Sequence, residues 1–310
     1  MLPEPFQNAC VLTGPTGSGK SRLGLELAER LGAEIISMDS MALYRGLDVG
    51  TAKPTLEERR RVPHYLIDVL DPSESASVAW WLERAETCCR EIEGRGRRVL
   101  FVGGTPLYLK ALLCGLFDGP PADRAVRCRL EREATEQGRE HLHARLAQID
   151  PVTAVRLHPN DLRRVVRALE VWELSQRPIS DWQQQWHEPA VSTLRAPQCL
   201  YLDVPRPVLY ARINARVERM IAGGLVEEVR ALRRLERPLG REAAQALGYK
   251  ELFDFMDGKG SLEDAVVTIQ TRSRNFAKRQ LTWFRHLPDC RPATEQLTFD
   301  LWGLTMNGGA

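Results

Sequence analysis

Short apolar runs alternate with longer segments of helical periodicity along most of the chain. The runs are rich in β-branched and aromatic residues, which is typical of buried strands. They cover residues 9–13, 33–37, 98–102 and 198–204. Between them apolar residues recur three or four positions apart, as in Leu23, Leu27 and Leu31, and this spacing predicts amphipathic helices. Because strands and helices alternate, we predict an α/β fold in which helices flank a parallel sheet.

Gly119-Pro120-Pro121 interrupts the alternation, since two successive prolines cannot continue a helix or a central strand. The segment 123–187 that follows has largely helical periodicity, and Pro197 precedes the next apolar run. We therefore predict a core domain in two parts that is interrupted by an inserted all-helical domain. The first part covers residues 1–119, the insertion 120–197 and the second part 198–310.

Two further segments carry few signals of regular structure. Residues 45–75 contain many turn pairs, such as Arg45-Gly46 and Asp71-Pro72, which predict a surface excursion outside the core. His64 lies in this excursion beside apolar residues, where a histidine is more often hydrogen-bonded for structure than catalytic. Residues 288–310 show little periodicity, so we predict a frayed or loosely docked C-terminal end.

The segment Gly14-Pro15-Thr16-Gly17-Ser18-Gly19-Lys20-Ser21 fits the pattern G-x-x-x-x-G-K-[ST] at every fixed position. It lies between the first predicted strand and the first predicted helix, which is the context that this motif needs. Its glycines let successive backbone N–H groups point inward, Lys20 adds a positive charge, and the Ser21 hydroxyl can bind Mg²⁺. The segment is therefore predicted to hold two linked phosphates. The predicted diphosphate-binding residues are Gly14, Thr16, Gly17, Ser18, Gly19, Lys20 and Ser21.

The residues that follow the next two strands differ from those of a nucleotide hydrolase. Asp39 follows the second strand, and three roles stay open for it: a Mg²⁺ ligand, a general base, or a helix cap or turn residue. The third strand is followed by Gly103-Gly104-Thr105, where a hydrolase would usually carry an acid. Because ligands collect at the carboxyl ends of parallel strands, we expect both segments at the phosphate site.

Composition excludes some classes of protein. The 310 residues are 43% hydrophobic, enough for a sizeable core, and no apolar run approaches the ~20 residues of a membrane span. The N-terminus has neither a basic start nor an apolar stretch, so we expect a cytoplasmic protein without a membrane partner. The seven cysteines form no C-x-x-C pair, which favours unpaired thiols over disulfides or a zinc site.

The formal net charge of +2 hides an uneven distribution of arginine. A cluster at residues 163–167 lies on one predicted helix, where a solvated face is usual and an RNA-backbone contact is the alternative. Arg212, Arg216 and Arg219 form a stripe on another predicted helix. These arginines can fold over bound phosphates as a lid or remain a solvated face.

Several segments together are specific enough to indicate a family. They are GPTGSGKS at 14–21, ISMDS at 36–40, YRGLDVGTAKP at 44–54, VGGTPLYLKALLCGL at 102–116, HPNDLRRVVRALEV at 158–171, ARINARVERMIAGGLVEEV at 211–229, QALGYKE at 245–251 and TRSRNFAKRQLTWFR at 271–285. In these segments the chain resembles the tRNA dimethylallyltransferases, also called tRNA isopentenyltransferases. It departs from the family pattern at Ala42, where many relatives carry Gln, and at Pro106, which replaces a common Gly.

The resemblance implies a fold of the P-loop NTPase type that is used without nucleotide hydrolysis. Such enzymes move the dimethylallyl group of dimethylallyl diphosphate to the N6 amine of the adenine 3′ of the anticodon (position 37) of tRNA, and release diphosphate. By the same resemblance Asp39 is the general base, Arg216 contacts the diphosphate and Thr105 is its hydroxyl partner. With Lys20 these are the expected catalytic residues, Mg²⁺ is the expected cofactor, and we expect a monomer.

The resemblance also implies that the inserted helical domain holds the anticodon stem-loop of tRNA. The residues expected to contact tRNA are Asp39, Ser40, Met41, Ala42, Thr105, Arg127, Arg163, Arg164, Val165, Val166, Arg167, Gln245, Ala246, Leu247, Gly248, Tyr249, Lys250, Lys278, Arg279, Gln280 and Arg285. Two other functions stay open. A small-molecule kinase of the nucleoside-phosphate type would also use a phosphate loop, an arginine lid and a helical insertion. The second alternative is a non-enzymatic RNA-binding module, although the intact phosphate loop argues against it.

Overall fold

The computed structural model describes residues 2–184, 198–287 and 289–304. The strands in these residues are β1 (Cys10–Thr13), β2 (Ala33–Met38), β3 (His64–Tyr65), β4 (Arg98–Gly103), β5 (Cys199–Leu202) and β6 (Cys290–Ala293). They form one sheet in the order β3-β2-β4-β1-β5-β6, and every pairing is parallel. The predicted α/β fold with a parallel sheet is confirmed.

Helices precede, fill and follow the predicted insertion. The first group is α1 (Lys20–Leu31), α2 (Leu56–Arg61), α3 (Val78–Gly94) and α4 (Pro106–Cys114). The second group is α5 (Arg124–Gln137), α6 (Arg139–Ile149), α7 (Pro151–Arg156), α8 (Leu162–Ser175) and α9 (Ile179–Gln183). The third group is α10 (Arg206–Ala222), α11 (Leu225–Leu232), α12 (Arg241–Ala244), α13 (Tyr249–Met256), α14 (Leu262–His286) and α15 (Glu295–Leu301). Within the described ranges, no helix combines the length and the apolarity needed to cross a membrane.

The sheet has a separate hydrophobic layer on each face, because successive side chains of a strand point to opposite faces. Val11 and Phe101 pack with Trp81 of α3 in one layer. Leu12 packs with Leu23 of α1 in the other layer. Burial on both faces explains why these strands read as continuous apolar runs in the sequence.

The chain divides into two compact units, which are residues 1–114 with 191–310 and residues 115–190. The second unit contains α5 to α9, and leucines such as Leu130, Leu146 and Leu169 form its core. Its boundaries differ by a few residues from the predicted insertion. The predicted end of the insertion falls in the segment 185–197, which lies outside the described residues.

The prediction that residues 45–75 lie outside the core is wrong in part. The segment contains α2 and β3, and its Leu47 and Leu66 are buried. Single buried leucines and a two-residue strand produce no periodicity, so the turn signals dominated the pattern. The structural role predicted for His64 is confirmed, since its Nδ1 donates a 2.7 Å hydrogen bond to the carbonyl of Val62.

The prediction of a frayed or loosely docked end over residues 288–310 is wrong for residues 289–304, while residues 305–310 lie outside the described part of the chain. β6 pairs with β5, so that Cys290 lies beside Cys199. α15 follows, with the Thr294 hydroxyl accepting the N–H of Leu297 at 3.1 Å as a helix cap. Phe299 of this helix is fully buried against the sheet layer that contains α1. A four-residue strand and a two-turn helix are too short to give a clear period in the sequence.

Candidate active site

Three strand ends meet at one edge of the sheet. β2, β4 and β1 are neighbours, and Thr13 and Met38 both lie level with Gly103. Residues 14–21, here called the phosphate loop, follow β1, and Asp39 follows β2. The parallel sheet therefore brings together the segments for which the sequence predicted a common site.

The phosphate loop has a conformation that needs glycine. Gly17 and Gly19 adopt left-handed φ angles of 81° and 93°, which other residues rarely take. A Cβ atom on Gly17 would also lie 2.9 Å from Cγ1 of Ile213. Ser18 is buried, and its Oγ has no hydrogen-bond partner among the described residues. Because a buried polar group without a partner costs about 1–3 kcal/mol, this hydroxyl points to a ligand.

Two cations and one carboxylate lie close together at this loop. Nζ of Lys20 donates a 3.3 Å hydrogen bond to the carbonyl of Pro15. Burial, and then the charge of Arg216, lowers the pKa of Lys20 to about 8, while the Asp39 carboxylate acts in the opposite direction. Burial also lowers the pKa of Arg216, and the Asp39 carboxylate again acts in the opposite direction. Two poorly solvated cations repel each other, and a bound polyanion such as diphosphate would relieve this repulsion.

Two arginines of the predicted stripe on α10 contact loops of the site. Nη2 of Arg216 donates to the carbonyl of Thr51 at 3.2 Å, and Nη1 of Arg212 donates to the carbonyl of Ser18 at 3.4 Å. Arg219 is bonded only to its own helix in the described contacts. The sequence analysis placed Arg212 in this stripe but did not name it as a site residue, because the stripe alone does not show which of its members packs against the loop.

The carboxylate of Asp39 is anchored at one oxygen. Its Oδ1 accepts the N–H groups of Met41 at 2.9 Å and Ala42 at 3.4 Å. In the described part of the chain no hydrogen bond reaches Oδ2. Asp39 is therefore a turn residue, which is one of the roles that the sequence left open, and its second oxygen stays available for chemistry.

The loop after β4 lies against the end of β2. A Cβ atom on Gly103 would lie 2.4 Å from the carbonyl carbon of Met38, so only glycine permits this approach. The hydroxyl oxygen of Thr105 accepts the N–H of Ser40 at 3.0 Å. The same hydroxyl donates to Oγ of Ser40 at 3.4 Å. This hydrogen bond is long, so a ligand oxygen could replace Ser40 as the acceptor.

Gln280 was expected to contact tRNA, but in this structure its side chain is only 2% exposed and bonds two loops of the site. Its Oε1 accepts the N–H of Thr16 at 2.9 Å, and its Nε2 donates to the carbonyl of Gly104 at 2.6 Å. Gln280 thus ties the phosphate loop to the loop after β4. No sequence signal indicates this role, since Thr16 and Gln280 are 264 positions apart.

Other side chains that were expected to contact tRNA are also buried. Ala42, Val165, Val166, Ala246 and Tyr249 are each 5% exposed or less. All of them except Ala42 pack into hydrophobic cores. The structure therefore gives no support to a contact between these side chains and tRNA. A family motif was carried over as whole segments, and a helical turn exposes only one of its faces, so such segments include positions that face the core.

The expected tRNA-contacting residues that remain accessible are mostly basic. Lys278, Arg279 and Arg285 are exposed on α14, and Arg163 and Arg164 are exposed on α8. Their contact with tRNA stays a prediction. Of the other residues that were expected to contact tRNA, Gln245 is exposed, whereas Ser40, Met41, Leu247 and Lys250 are partly buried.

Arg127 and Arg167 are held by a buried acid in the second unit. Glu170 is fully buried, and Arg127 donates two hydrogen bonds to its carboxylate at 2.9 and 3.0 Å. Arg167 adds a third at 2.6 Å and also bonds the carbonyl of Pro120 at 2.8 Å. Burial alone would raise the pKa of Glu170, but hydrogen bonds from the two arginines outweigh it and hold this pKa below its ordinary value. Both arginines thus have a structural role.

One side chain at the phosphate loop, that of Ser21, has the chemistry expected of a Mg²⁺ ligand. Ser21 lies exposed in the first turn of α1, next to Lys20. In residues 2–184, 198–287 and 289–304, no group of three His, Cys, Asp or Glu side chains is placed to hold a metal. Mg²⁺ typically takes one or two oxygens from the protein and the others from substrate phosphates and water. The Ser21 hydroxyl can supply such an oxygen.

Comparison with known proteins covers nearly the whole chain. A family model described as IPP transferase matches residues 42–287, and one described as isopentenyl transferase matches residues 7–69. A tRNA dimethylallyltransferase of Geobacter metallireducens is 50% identical over 287 residues, which are 92% of each chain. The crystal structure of the full-length tRNA isopentenylpyrophosphate transferase of Bacillus halodurans matches with a TM-score of 0.67 and 39% identity, over 96% of this chain and 94% of that one.

A eukaryotic dimethylallyltransferase, crystallised in snapshots of its action on tRNA, matches with a TM-score of 0.74 and 26% identity. The match covers 94% of this chain and 75% of that one. These relatives share the P-loop NTPase-like fold that the sequence predicted. Identity of this extent, together with a family model that spans most of the residues and a phosphate loop at the shared edge of β2, β4 and β1, shows that the chain belongs to the tRNA dimethylallyltransferase family of prenyltransferases.

Proposed function

We propose that this protein transfers the dimethylallyl group of dimethylallyl diphosphate to the N6 amine of the adenine 3′ of the anticodon (position 37) of tRNA. The observation that carries the proposal is the meeting of Lys20, Arg216 and Asp39 at the phosphate loop. Gly103-Gly104-Thr105 stands where a nucleotide hydrolase would carry an acid. The activity named for the relatives supports the same reaction.

The phosphate loop suits the departure of diphosphate. When the bond between C1 of the allyl group and the diphosphate oxygen breaks, its electron pair moves to the diphosphate and positive character develops on the allyl group. Lys20, Arg216 and the N–H groups of the loop stabilise the charge on the leaving oxygens. The unpartnered hydroxyl of Ser18 can donate to a phosphate oxygen. The hydroxyl of Thr105 can do so by exchanging its 3.4 Å hydrogen bond to Ser40 for one to the phosphate. Ser21 would hold Mg²⁺, which neutralises diphosphate charge when bound.

The attacking amine needs a base, because its lone pair is delocalised into the adenine ring. N6 bonds to C1 and loses a proton, which Oδ2 of Asp39 accepts in our proposal. The N–H groups of Met41 and Ala42 hold Oδ1 and so orient the other oxygen. A positioned base of this kind contributes about 10²–10⁴-fold to the rate.

The adenine must leave its stack to reach a site at the end of a sheet. This costs a few kcal/mol and is least costly in a single-stranded loop. We propose that exposed basic side chains contact the phosphates of the anticodon stem-loop, and that the unit of residues 115–190 contributes to this grip. These side chains are Arg163, Arg164, Lys278, Arg279 and Arg285.

We further propose that the protein acts as a monomer in the cytoplasm. All seven cysteines are unpaired thiols in the structure, which suits a reducing compartment.

The proposal is tested by incubating unmodified tRNA with the protein, dimethylallyl diphosphate and Mg²⁺, followed by mass spectrometry of the nucleosides. We expect dimethylallyladenosine from this tRNA and none from a tRNA with guanine at position 37. Asp39→Asn should bind tRNA normally but transfer about 10²–10⁴-fold more slowly, whereas Asp300→Asn, a surface control, should match the wild type.

Each alternative function has its own outcome in this assay. Binding of tRNA without transfer by the wild type would favour an RNA-binding module. A phosphorylated product from ATP and a nucleoside monophosphate would favour a kinase. Either result contradicts the proposed prenyl transfer.

A further inference from the structure

The segment 44–54 belongs to the family pattern, but the proposed chemistry leaves its function unexplained. Its backbone is held by an acid from a distant helix. Oε2 of Glu228 on α11 accepts the N–H groups of Asp48 at 2.9 Å and Val49 at 2.8 Å. Oε1 accepts the N–H of Gly50 at 3.2 Å. Three successive backbone N–H groups thus converge on one carboxylate, as they do in anion-binding nests.

The hydroxyl of Tyr249 completes this arrangement, because it donates to Oε1 of Glu228 at 2.6 Å. Burial, and then this carboxylate, raises the pKa of Tyr249, so the phenol stays a neutral donor. A Cβ atom on Gly50 would lie 2.5 Å from the Tyr249 ring, so glycine alone permits the packing. Tyr249, which was expected to contact tRNA, instead supports the acid.

The segment is also fixed from its other side. Lys53 has a side chain that is only 2% exposed, and its Nζ donates to the carbonyl of Tyr44 at 2.5 Å. The same Nζ pairs with the carboxylates of Asp48 at 2.7 Å and Asp68 at 2.5 Å. Hydrogen bonds to charged groups are stronger than neutral ones, so the loop between Asp48 and Lys53 has little freedom.

This rigid loop ends at the active site. The carbonyl of Thr51, one residue after the Gly50 N–H that Glu228 holds, accepts Nη2 of Arg216 at 3.2 Å. Arg216 belongs to the arginine stripe of α10, but it is half-buried, and its charge interacts with those of Lys20 and Asp39. The direction of the Thr51 carbonyl therefore helps to decide where the guanidinium points.

We propose that Glu228 is a positioning residue for prenyl transfer: it holds the amides of residues 48–50 so that the Thr51 carbonyl aims Arg216 at the diphosphate. Glu228 touches neither substrate in this scheme and acts through Arg216. The inference rests on the proposed function, in which Arg216 stabilises the leaving diphosphate.

The test compares Glu228→Gln with Glu227→Gln. Glu227 is the neighbouring acid on α11, its side chain is 69% exposed, and Arg230 is its ion-pair partner at 3.6 Å. The amide of Gln keeps one acceptor oxygen but turns an NH₂ group toward two backbone donors. We expect Glu228→Gln to lower kcat/KM for dimethylallyl diphosphate about tenfold with little change in tRNA affinity. Glu227→Gln should equal the wild type.

A double-mutant cycle with Arg216→Ala separates positioning from a general loss of stability. If Glu228 acts through Arg216, Glu228→Gln costs nothing further once Arg216 is gone. An equal loss in both backgrounds, or no loss in the wild-type background, overturns the inference. Should Glu228→Gln fail to fold, Tyr249→Phe removes one of the four hydrogen bonds and should cost about threefold, again only when Arg216 is present.

Calorimetry should also measure the affinity for inorganic diphosphate of the wild type, Glu228→Gln, Arg216→Ala and the double variant. This measurement separates the positioning role of Glu228 from the proposed prenyl transfer. Loss of affinity in Glu228→Gln that disappears in the Arg216→Ala background supports the positioning role even if the wild type prenylates no tRNA. In that case the proposed function alone fails. Unchanged diphosphate affinity and kcat/KM in Glu228→Gln would remove the positioning role while the prenyl transfer of the wild type stands.

Discussion

Lys20 and Arg216 carry the same charge as Arg163 and Arg164, but the two pairs lie in different environments. The first pair is half-buried beside the phosphate loop, where reduced contact with water lowers both pKa values. The second pair is exposed on α8, and the side chain of Arg164 is 67% accessible. Water and salt screen an exposed charge within about 10 Å at 0.1 M salt, whereas a buried charge is screened much less. The contrast shows why a buried cation should act on chemistry and a surface cation on binding.

The largest effect is expected for removal of a buried cation. Lys20→Met should lower kcat/KM for dimethylallyl diphosphate about 10²–10³-fold, because the charge acts on the leaving group in a poorly solvated site. The affinity for tRNA should stay close to that of the wild type. Steady-state kinetics and a filter-binding assay measure the two quantities. Lys259→Met, at a site that is 63% exposed, is the matched control and should change neither. An equal loss of tRNA affinity in Lys20→Met would show that the buried site also grips RNA.

The same lysine predicts a pH dependence. Since burial lowers the pKa of Lys20 to about 8, the free protein loses this charge as the pH rises through that value. The charged form binds diphosphate, so kcat/KM should be flat below pH 8 and fall about tenfold per unit above it. A bound diphosphate favours the charged form, so the fall in kcat should occur at higher pH. If kcat and kcat/KM fell over the same pH range, the assignment of this change to Lys20 would be wrong.

A smaller effect is expected where a neutral side chain supports the buried site. Gln280→Leu leaves the N–H of Thr16 and the carbonyl of Gly104 without their partner. We expect KM for dimethylallyl diphosphate to rise about tenfold because the phosphate loop loses a fixed position. Gln270→Leu removes a partly exposed glutamine from the same helix and should leave KM unchanged. A loss of tRNA affinity alone in Gln280→Leu would restore the role that the resemblance implied.

The smallest effect is expected at the surface. Arg163→Ala should weaken tRNA binding by a few fold and lower the salt slope of log K by about 0.7–0.9, the contribution of one phosphate contact. The salt dependence of tRNA affinity measures this change. Arg139→Ala removes an exposed arginine from another helix of the same unit and should leave the slope unaltered. An unchanged slope in Arg163→Ala would mean that this arginine belongs to a solvated face.

The sequence predicted the parts of the molecule that repeat a local pattern. The strands after which the phosphate loop, Asp39 and Thr105 follow were predicted because buried strands form apolar runs. β6 and α15 were missed, because elements this short have no clear period. Tyr249 and Val165 were assigned to a tRNA surface, since a shared motif does not say which side of a helix faces the core.

Local patterns thus determined the elements, the phosphate loop and the family of this chain, because backbone geometry and side-chain period act over a few residues. The tertiary structure decided which groups serve the site from a distance. Gln280 reaches the amide of Thr16, and Glu228 reaches the loop that directs Arg216. Such contacts depend on how whole helices pack against the sheet, so no spacing along the chain could have indicated them.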